Sequence, residues 1–236
     1  MASAALQASS SDRAATREAP GKLKAFELLK VSLSTKPSLP VEALIPTAIP
    51  QLDRLLGGGL PAGSVVTLEG ATGRWSLAAG LVAAMTRRSF VAILDDGGLY
   101  PPALAETGVC LERVLVVPAR KALAMARAAD ILLRSRICNL VLMPVATLRD
   151  AVWERLALLA QRGGVLLIVV AARSGAALSA AAGVRLHCAL ERIVINGERG
   201  LWATVGGFDV CVDVRKHKHM AAVGSAHVRI GHAPLR

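Results

Sequence analysis

The sequence predicts an α/β fold: a mostly parallel sheet flanked by helices, with an antiparallel C-terminal extension and an N-terminal helix. Three observations carry this. From Val41 to Gly183, short runs of Val, Ile and Leu alternate with Ala/Leu/Arg-rich stretches of helical length. After Gly183 the rhythm changes to closely spaced β-rich runs divided by turn residues. Ahead of both, Lys22–Leu33 sets Leu23, Phe26, Leu29 and Leu33 on one face of a helix.

In chain order, residues 1–20 are rich in Ala, Ser and charge with no sustained period, which predicts a disordered tail. Residues 21–44 hold the amphipathic helix and a linker that Pro37 and Pro40 force to be extended. The core is expected over residues 45–236. Its strands are Val65–Leu68, Phe90–Leu94, Val114–Val117, Leu140–Met143 and Leu166–Val170, apolar at every position but Thr67, as suits a parallel sheet covered on both faces. Helices are expected at Trp75–Arg88, Pro102–Thr107, Ala122–Ser135 and Leu148–Arg162. Val184–Ile195, Leu201–Val205, Phe208–Val214 and His227–Ile230 follow as antiparallel strands, with Asn196-Gly197 and Gly206-Gly207 read as turns.

Composition bounds the function. The chain has 236 residues, 53% hydrophobic and 19% charged, enough for one full core. The longest apolar run, Val165–Ala172, is eight residues, whereas a membrane span needs roughly twenty, so no membrane association is expected. Cys110, Cys138, Cys188 and Cys211 show no paired spacing and read as reduced core residues of a cytoplasmic protein. Twenty-eight Lys and Arg against 17 Asp and Glu leave a net charge of +11, which favours nucleic acid or an acidic protein surface. Aromatic residues are only 3%, too few for the stacking platforms of single-strand binders, so any DNA contact is expected to be weak and non-specific.

The chemistry-bearing stretch is Gly70-Ala71-Thr72-Gly73-Arg74-Trp75-Ser76, set between a strand and a helix. A working phosphate loop separates its glycines by four residues and follows them with Lys and Ser/Thr. Here two residues separate Gly70 from Gly73, Arg74 replaces the Lys, and Trp75 follows. The loop is too short to wrap a triphosphate in that way, so no nucleotide cofactor is expected. Trp75 is expected to fill the space of a nucleotide or to stack beside it, with its ring buried.

The stretch Ile45–Gly63, with Leu52-Asp53 and Gly57-Gly58-Gly59-Leu60-Pro61, resembles the entry to the RecA core. So does Ile93-Leu94-Asp95 followed by Gly108-Val109 and Val114–Val117, and Val212–Ala222 resembles that family's late strand with its two lysines, here Lys216 and Lys218. The resemblance implies a RecA-like fold. It also marks what is missing. Gly97-Gly98 stand where such ATPases carry a water-activating glutamate, Met143-Pro144 where an Asp helps hold magnesium, and Ala172 where a glutamine senses the γ-phosphate. Phosphoryl transfer depends on such positioned groups, so no catalytic residue is assigned and no enzyme activity is expected.

A RecA-like chain of this length with a leading helix and no ATPase apparatus resembles ImuA. That resemblance implies an accessory role in damage-induced translesion mutagenesis, alongside an inactive Y-family-like polymerase homologue and an error-prone polymerase. By analogy with RecA filaments, Leu23, Phe26 and Leu29 of the leading helix, with Lys216 and Lys218, are the candidate contacts to RecA or to those polymerase subunits. Arg215, Lys216 and Lys218 are the candidate DNA contacts. A residual ATP-dependent DNA-binding ATPase using Arg74, and a SulA-like inhibitor of cell division, are the alternatives.

Other constellations carry less. His217 and His219 lack a cysteine or carboxylate at ligand spacing, so no metal site is expected. Arg215–His219 reads instead as a basic cluster that gains charge through the histidine range. Asp95-Asp96 reads as a solvated turn, and Trp153 and Trp202 as core or interface residues.

Overall fold

The computed structural model describes residues 44–197, 203–220 and 224–232, and the apolar runs become strands of an eight-stranded sheet. In chain order the elements are β1 (Leu44–Ile45), α1 (Pro50–Leu55), β2 (Leu60–Pro61), β3 (Val65–Glu69), α2 (Arg74–Thr86), β4 (Val91–Asp95) and α3 (Pro101–Glu106). A short 3-10 turn, Leu111–Arg113, leads into β5 (Val114–Pro118), α4 (Ala122–Ser135), β6 (Leu140–Pro144), α5 (Asp150–Gly163), β7 (Leu166–Val170) and α6 (Ala176–Ala181). The chain closes with β8 (Val184–Asn196), β9 (Thr204–His217) and β10 (Ser225–Gly231). The expected tail, the Lys22–Leu33 helix with Leu23, Phe26 and Leu29, and Trp202 lie outside the described residues.

Strand order is β10-β9-β8-β3-β7-β6-β4-β5. The six strands from β8 to β5 pair in parallel, and β9 and β10 return antiparallel at the other edge. Strand side chains alternate between faces, so the continuous apolar runs feed two cores. Val66, Leu68, Val91, Ile93, Leu140 and Ile168 pack with Leu77 and Leu81 of α2. Val65, Ala92, Val141 and Val169 face α4 and α5, where Leu133, Trp153 and Leu156 are buried. Trp153 is thus a core residue. Burying each large apolar side chain contributes about 1.5–3 kcal/mol, which explains why the central strands tolerate almost no polar residue.

The reading of the cysteines as core residues holds for the buried Cys138 and Cys188 and is corrected for the partly exposed Cys110 and Cys211. Two further local expectations are corrected. Gly206-Gly207 is not a turn: β9 runs straight through it from Thr204 to His217. Val194 pairs with Gly207 and Ile195 with Val205, so Gly206 is an extra residue inserted in the ladder. A Cβ on Gly206 would stand 2.4 Å from the Asn196 side chain, and one on Gly207 2.5 Å from the Ile230 carbonyl oxygen. The glycines are there for close approach. The other correction concerns β5, expected to be covered on both faces. Among the described residues it is an edge strand that pairs with β4 alone, and its Leu115 and Val116 are 46% and 39% exposed.

Candidate functional site

The loop between β3 and α2 is positioned by the strand beside it. Gly70 adopts φ 122° and Gly73 φ 77°, both in the region that favours glycine. A Cβ on Gly70 would lie 2.0 Å from the Cys188 carbonyl oxygen, and one on Gly73 3.0 Å from the Leu190 nitrogen. Strand β8 therefore presses directly on the loop. Thr72 Oγ1 accepts the Leu190 N–H at 3.1 Å, and the Gly70 N–H donates to the carbonyl of Ala172 at 3.2 Å. These loop groups face the neighbouring protein backbone.

Arg74 completes that closure. Its Nη1 donates to the carbonyl oxygens of Gly70 at 2.6 Å and Ala71 at 2.5 Å. The guanidinium at the position of a phosphate-binding lysine is folded back over its own loop. Gly73, Arg74, Trp75 and Ser76 nevertheless open α2 as a phosphate loop would open its helix, with the Leu77 N–H bonded to Gly73 O at 2.9 Å.

Trp75 is 47% exposed, so the expectation of a buried plug is corrected. At the first turn of α2 its side chain points away from the core face carried by Leu77, Ala78 and Leu81. The ring stands at the side of a cleft of about 490 Å³, shared with Ser76, Asp95, Tyr100, Pro144 and His232. This cleft lies off the C-terminal ends of β4 and β6, where open α/β sheets place ligands. Asp95 and Asp96 are its acidic groups. Asp95 Oδ1 accepts the N–H groups of Gly97 at 2.9 Å and Leu99 at 3.0 Å, which closes the turn after β4.

Immediately before the loop, the buried Glu69 is gripped by Arg185 of β8, Nε to Oε1 at 2.8 Å and Nη2 to Oε2 at 3.0 Å. Thr67 Oγ1 donates to the same carboxylate at 3.0 Å. Burial pushes the Glu69 carboxyl up, but hydrogen bonding from Arg185, Ser174 and Thr67, with the charge of Arg185, outweighs it and holds it below its ordinary value. This ion pair fixes the end of β3 against β8, and so fixes the loop.

The predicted basic cluster at the end of β9 is divided, which corrects the reading of a single charged patch. Arg215 pairs with Asp213 at 3.3 Å. Lys216 Nζ donates to the carbonyls of Ser179 at 2.9 Å and Ala180 at 3.1 Å, at the C-terminal end of α6. His217 is buried, and burial, followed by the charge of His219, pushes its pKa down. Lys218 and His219 are exposed. The ladder skips Arg215, with Val214 opposite Leu186 and Lys216 opposite Arg185, so the buried side of β9 passes from Val214 to His217.

The sequence also gave no sign of a cluster formed by Glu191, Cys211 and His227. These residues are far apart along the chain and meet only because β8, β9 and β10 are adjacent. No helix among the described residues is long and apolar enough to cross a membrane.

The family described as the MT3502 N-terminal domain matches residues 53–175, just over half of the 236 residues. No curated protein sequence matches the chain. Among solved structures, the crystal structure of the RadB recombinase is similar, with a TM-score of 0.60 and 18% identity over 82% of this chain and 100% of that one. The likeness is one of fold, and the fold is RecA-like.

Proposed function

The chain belongs to the MT3502 N-terminal domain family, and from that premise we propose that it is a non-catalytic, RecA-like accessory protein of DNA repair. It acts by binding other proteins in the bacterial cytoplasm, without binding or hydrolysing ATP. The observation that carries this reading is the closed loop. Arg74 is bonded to the Gly70 and Ala71 carbonyls, and β8 is packed against both glycines. A triphosphate at this place would meet carbonyl oxygens and a neighbouring strand instead of a ring of N–H donors.

The finer reading rests on the resemblance to ImuA. On it, the protein serves damage-induced translesion mutagenesis, and its partners are RecA, the inactive Y-family-like polymerase homologue or the error-prone polymerase. The RadB neighbour is named a recombinase, which agrees with a setting in DNA repair. The exposed edge strand β5 supports a protein-binding role, since an unpaired strand edge with apolar side chains is a template for a further strand. DNA, if bound, is held through phosphates by dispersed basic side chains such as Lys218. The direct test is binding of the purified full-length chain to purified RecA and to each polymerase subunit. Submicromolar binding to one of these, unaffected by ATP, is expected. Binding to none of them, with ATP turnover by the chain alone, overturns the reading.

A further inference from the structure

The outer face of the antiparallel extension carries a group of side chains unconnected with the loop or the cleft. Cys211 and His227 are directly paired partners on β9 and β10, so their Cβ atoms stand about 4.5–5.5 Å apart on one face. Glu191 comes from β8, where the pairing skips from Leu190–Val210 to Arg192–Asp209 and leaves Glu191 as the extra residue of a bulge. A bulge turns a side chain out of its normal register, and here it turns the carboxylate toward its neighbours. Glu191 Oε2 lies 2.8 Å from His227 Nδ1, and the ligand atoms of all three residues lie within 4.8 Å of one another.

We propose that Glu191, Cys211 and His227 form a binding site for a thiophilic divalent cation, zinc above all. The donors are one thiolate, one imidazole and one carboxylate, a set that suits zinc and disfavours magnesium and calcium. Zinc bonds of about 2.0–2.3 Å to such ligands put tetrahedral donors roughly 3.3–3.8 Å apart. The Glu191–His227 separation must therefore open by about half an ångström and the widest separation close by about one, within reach of side-chain rotations on a fixed ladder. Three hydrogen-bonded strands supply the rigidity that three distant sequence positions lack. Asp213 stands next along β9 on the same face, its Oδ1 4.0 Å from Cys211 Sγ. It is placed to supply the fourth ligand or to hold a bound water. Burial pushes the Cys211 thiol up, helped by the charges of Asp213 and Glu191. In the metal-free protein the thiol therefore keeps its proton, which is released when the cation binds.

The experiment is a titration of the full-length chain, kept reduced with a phosphine, with Co²⁺ as the spectroscopic probe and Zn²⁺ as competitor. One equivalent of Co²⁺ is expected to give a near-ultraviolet thiolate-to-metal band that Zn²⁺ bleaches. Cys211→Ser should abolish the band, and His227→Ala and Glu191→Gln should each weaken affinity at least tenfold. Cys110→Ser should change nothing. Should Cys211→Ser fail to fold by circular dichroism, the exposed His227→Ala and Glu191→Gln decide alone. No thiolate band in the wild-type protein, or a band that survives Cys211→Ser or is indifferent to both exposed variants, overturns the assignment.

Discussion

Arg74 Nη1 lies 2.6 Å from the carbonyl oxygen of Gly70, so the residue at the lysine position of a phosphate loop is bonded to the loop itself. The relationship is geometric: β3 ends at Glu69, the chain turns through two glycines of positive φ, and α2 begins at Arg74. With only Ala71 and Thr72 between the glycines, the arginine reaches the carbonyls without extending outward. Restoring the lysine should therefore not restore binding. Arg74→Lys is expected to leave nucleotide affinity undetectable by equilibrium dialysis, and micromolar binding by this variant would contradict that.

The Glu69–Arg185 pair makes stability acid-sensitive. Because the folded protein holds Glu69 below its ordinary value of 4.5, the pair's contribution is fully present above that pH and is lost as pH falls through the lower folded value. Glu69→Gln should cost about 3 kcal/mol at pH 7, the low end for breaking a buried pair, since Arg185 remains partly exposed. The difference in melting temperature between Glu69→Gln and wild type should shrink as pH is lowered below 4.5. A difference independent of pH would show that packing, not charge, is at stake.

Much of this architecture is legible in the sequence, and the losses have identifiable causes. Runs such as Leu166–Val170 are apolar at every position because both faces are buried, and that signal survives without any partner. The late strands are legible as strands, but Gly206-Gly207 reads as a turn. A glycine pair signals permissive backbone without saying whether the chain reverses or only makes way for Asn196 and Ile230. The degenerate loop is legible from spacing alone. The fate of Arg74 is not, because its acceptors are backbone carbonyls. Nor is the exposure of Trp75, since its burial depends on which face of α2 meets the sheet. Glu191, Cys211 and His227 are invisible in sequence for a third reason: a bulge in β8 sets their register.

Trp75 should report its own exposure. In a Trp202→Phe background, the remaining emission comes from Trp75, nearly half exposed, and Trp153, buried. Adding Trp75→Phe should remove the red-shifted, iodide-quenched part of the emission and leave a blue-shifted remainder that iodide hardly touches. Unchanged quenching would place Trp75 inside the protein.

Lys216 and Lys218 should separate in their effects. Lys216 holds the terminal carbonyls of α6, so Lys216→Ala should destabilise the fold by about 1 kcal/mol. Lys218→Ala should leave the melting temperature unchanged and weaken any DNA binding slightly, equally for all sequences, with a shallower salt dependence. Equal loss of stability in both variants would show that the end of β9 acts as one unit.

The edge strand offers a test of partner binding. Leu115→Lys and Val116→Lys change exposed positions of β5 and should leave melting within roughly 0.5 kcal/mol of wild type. Each is expected to weaken binding to the RecA or polymerase partner at least tenfold. Full affinity in both would move the contact elsewhere on the molecule.

Calorimetric titration of the full-length protein with ATP and magnesium tests the central claim most directly. The closed loop predicts no heat beyond dilution at any accessible concentration. A micromolar dissociation constant, about −8 kcal/mol, that disappears in Arg74→Ala would contradict it and return the chain to the nucleotide-dependent ATPases.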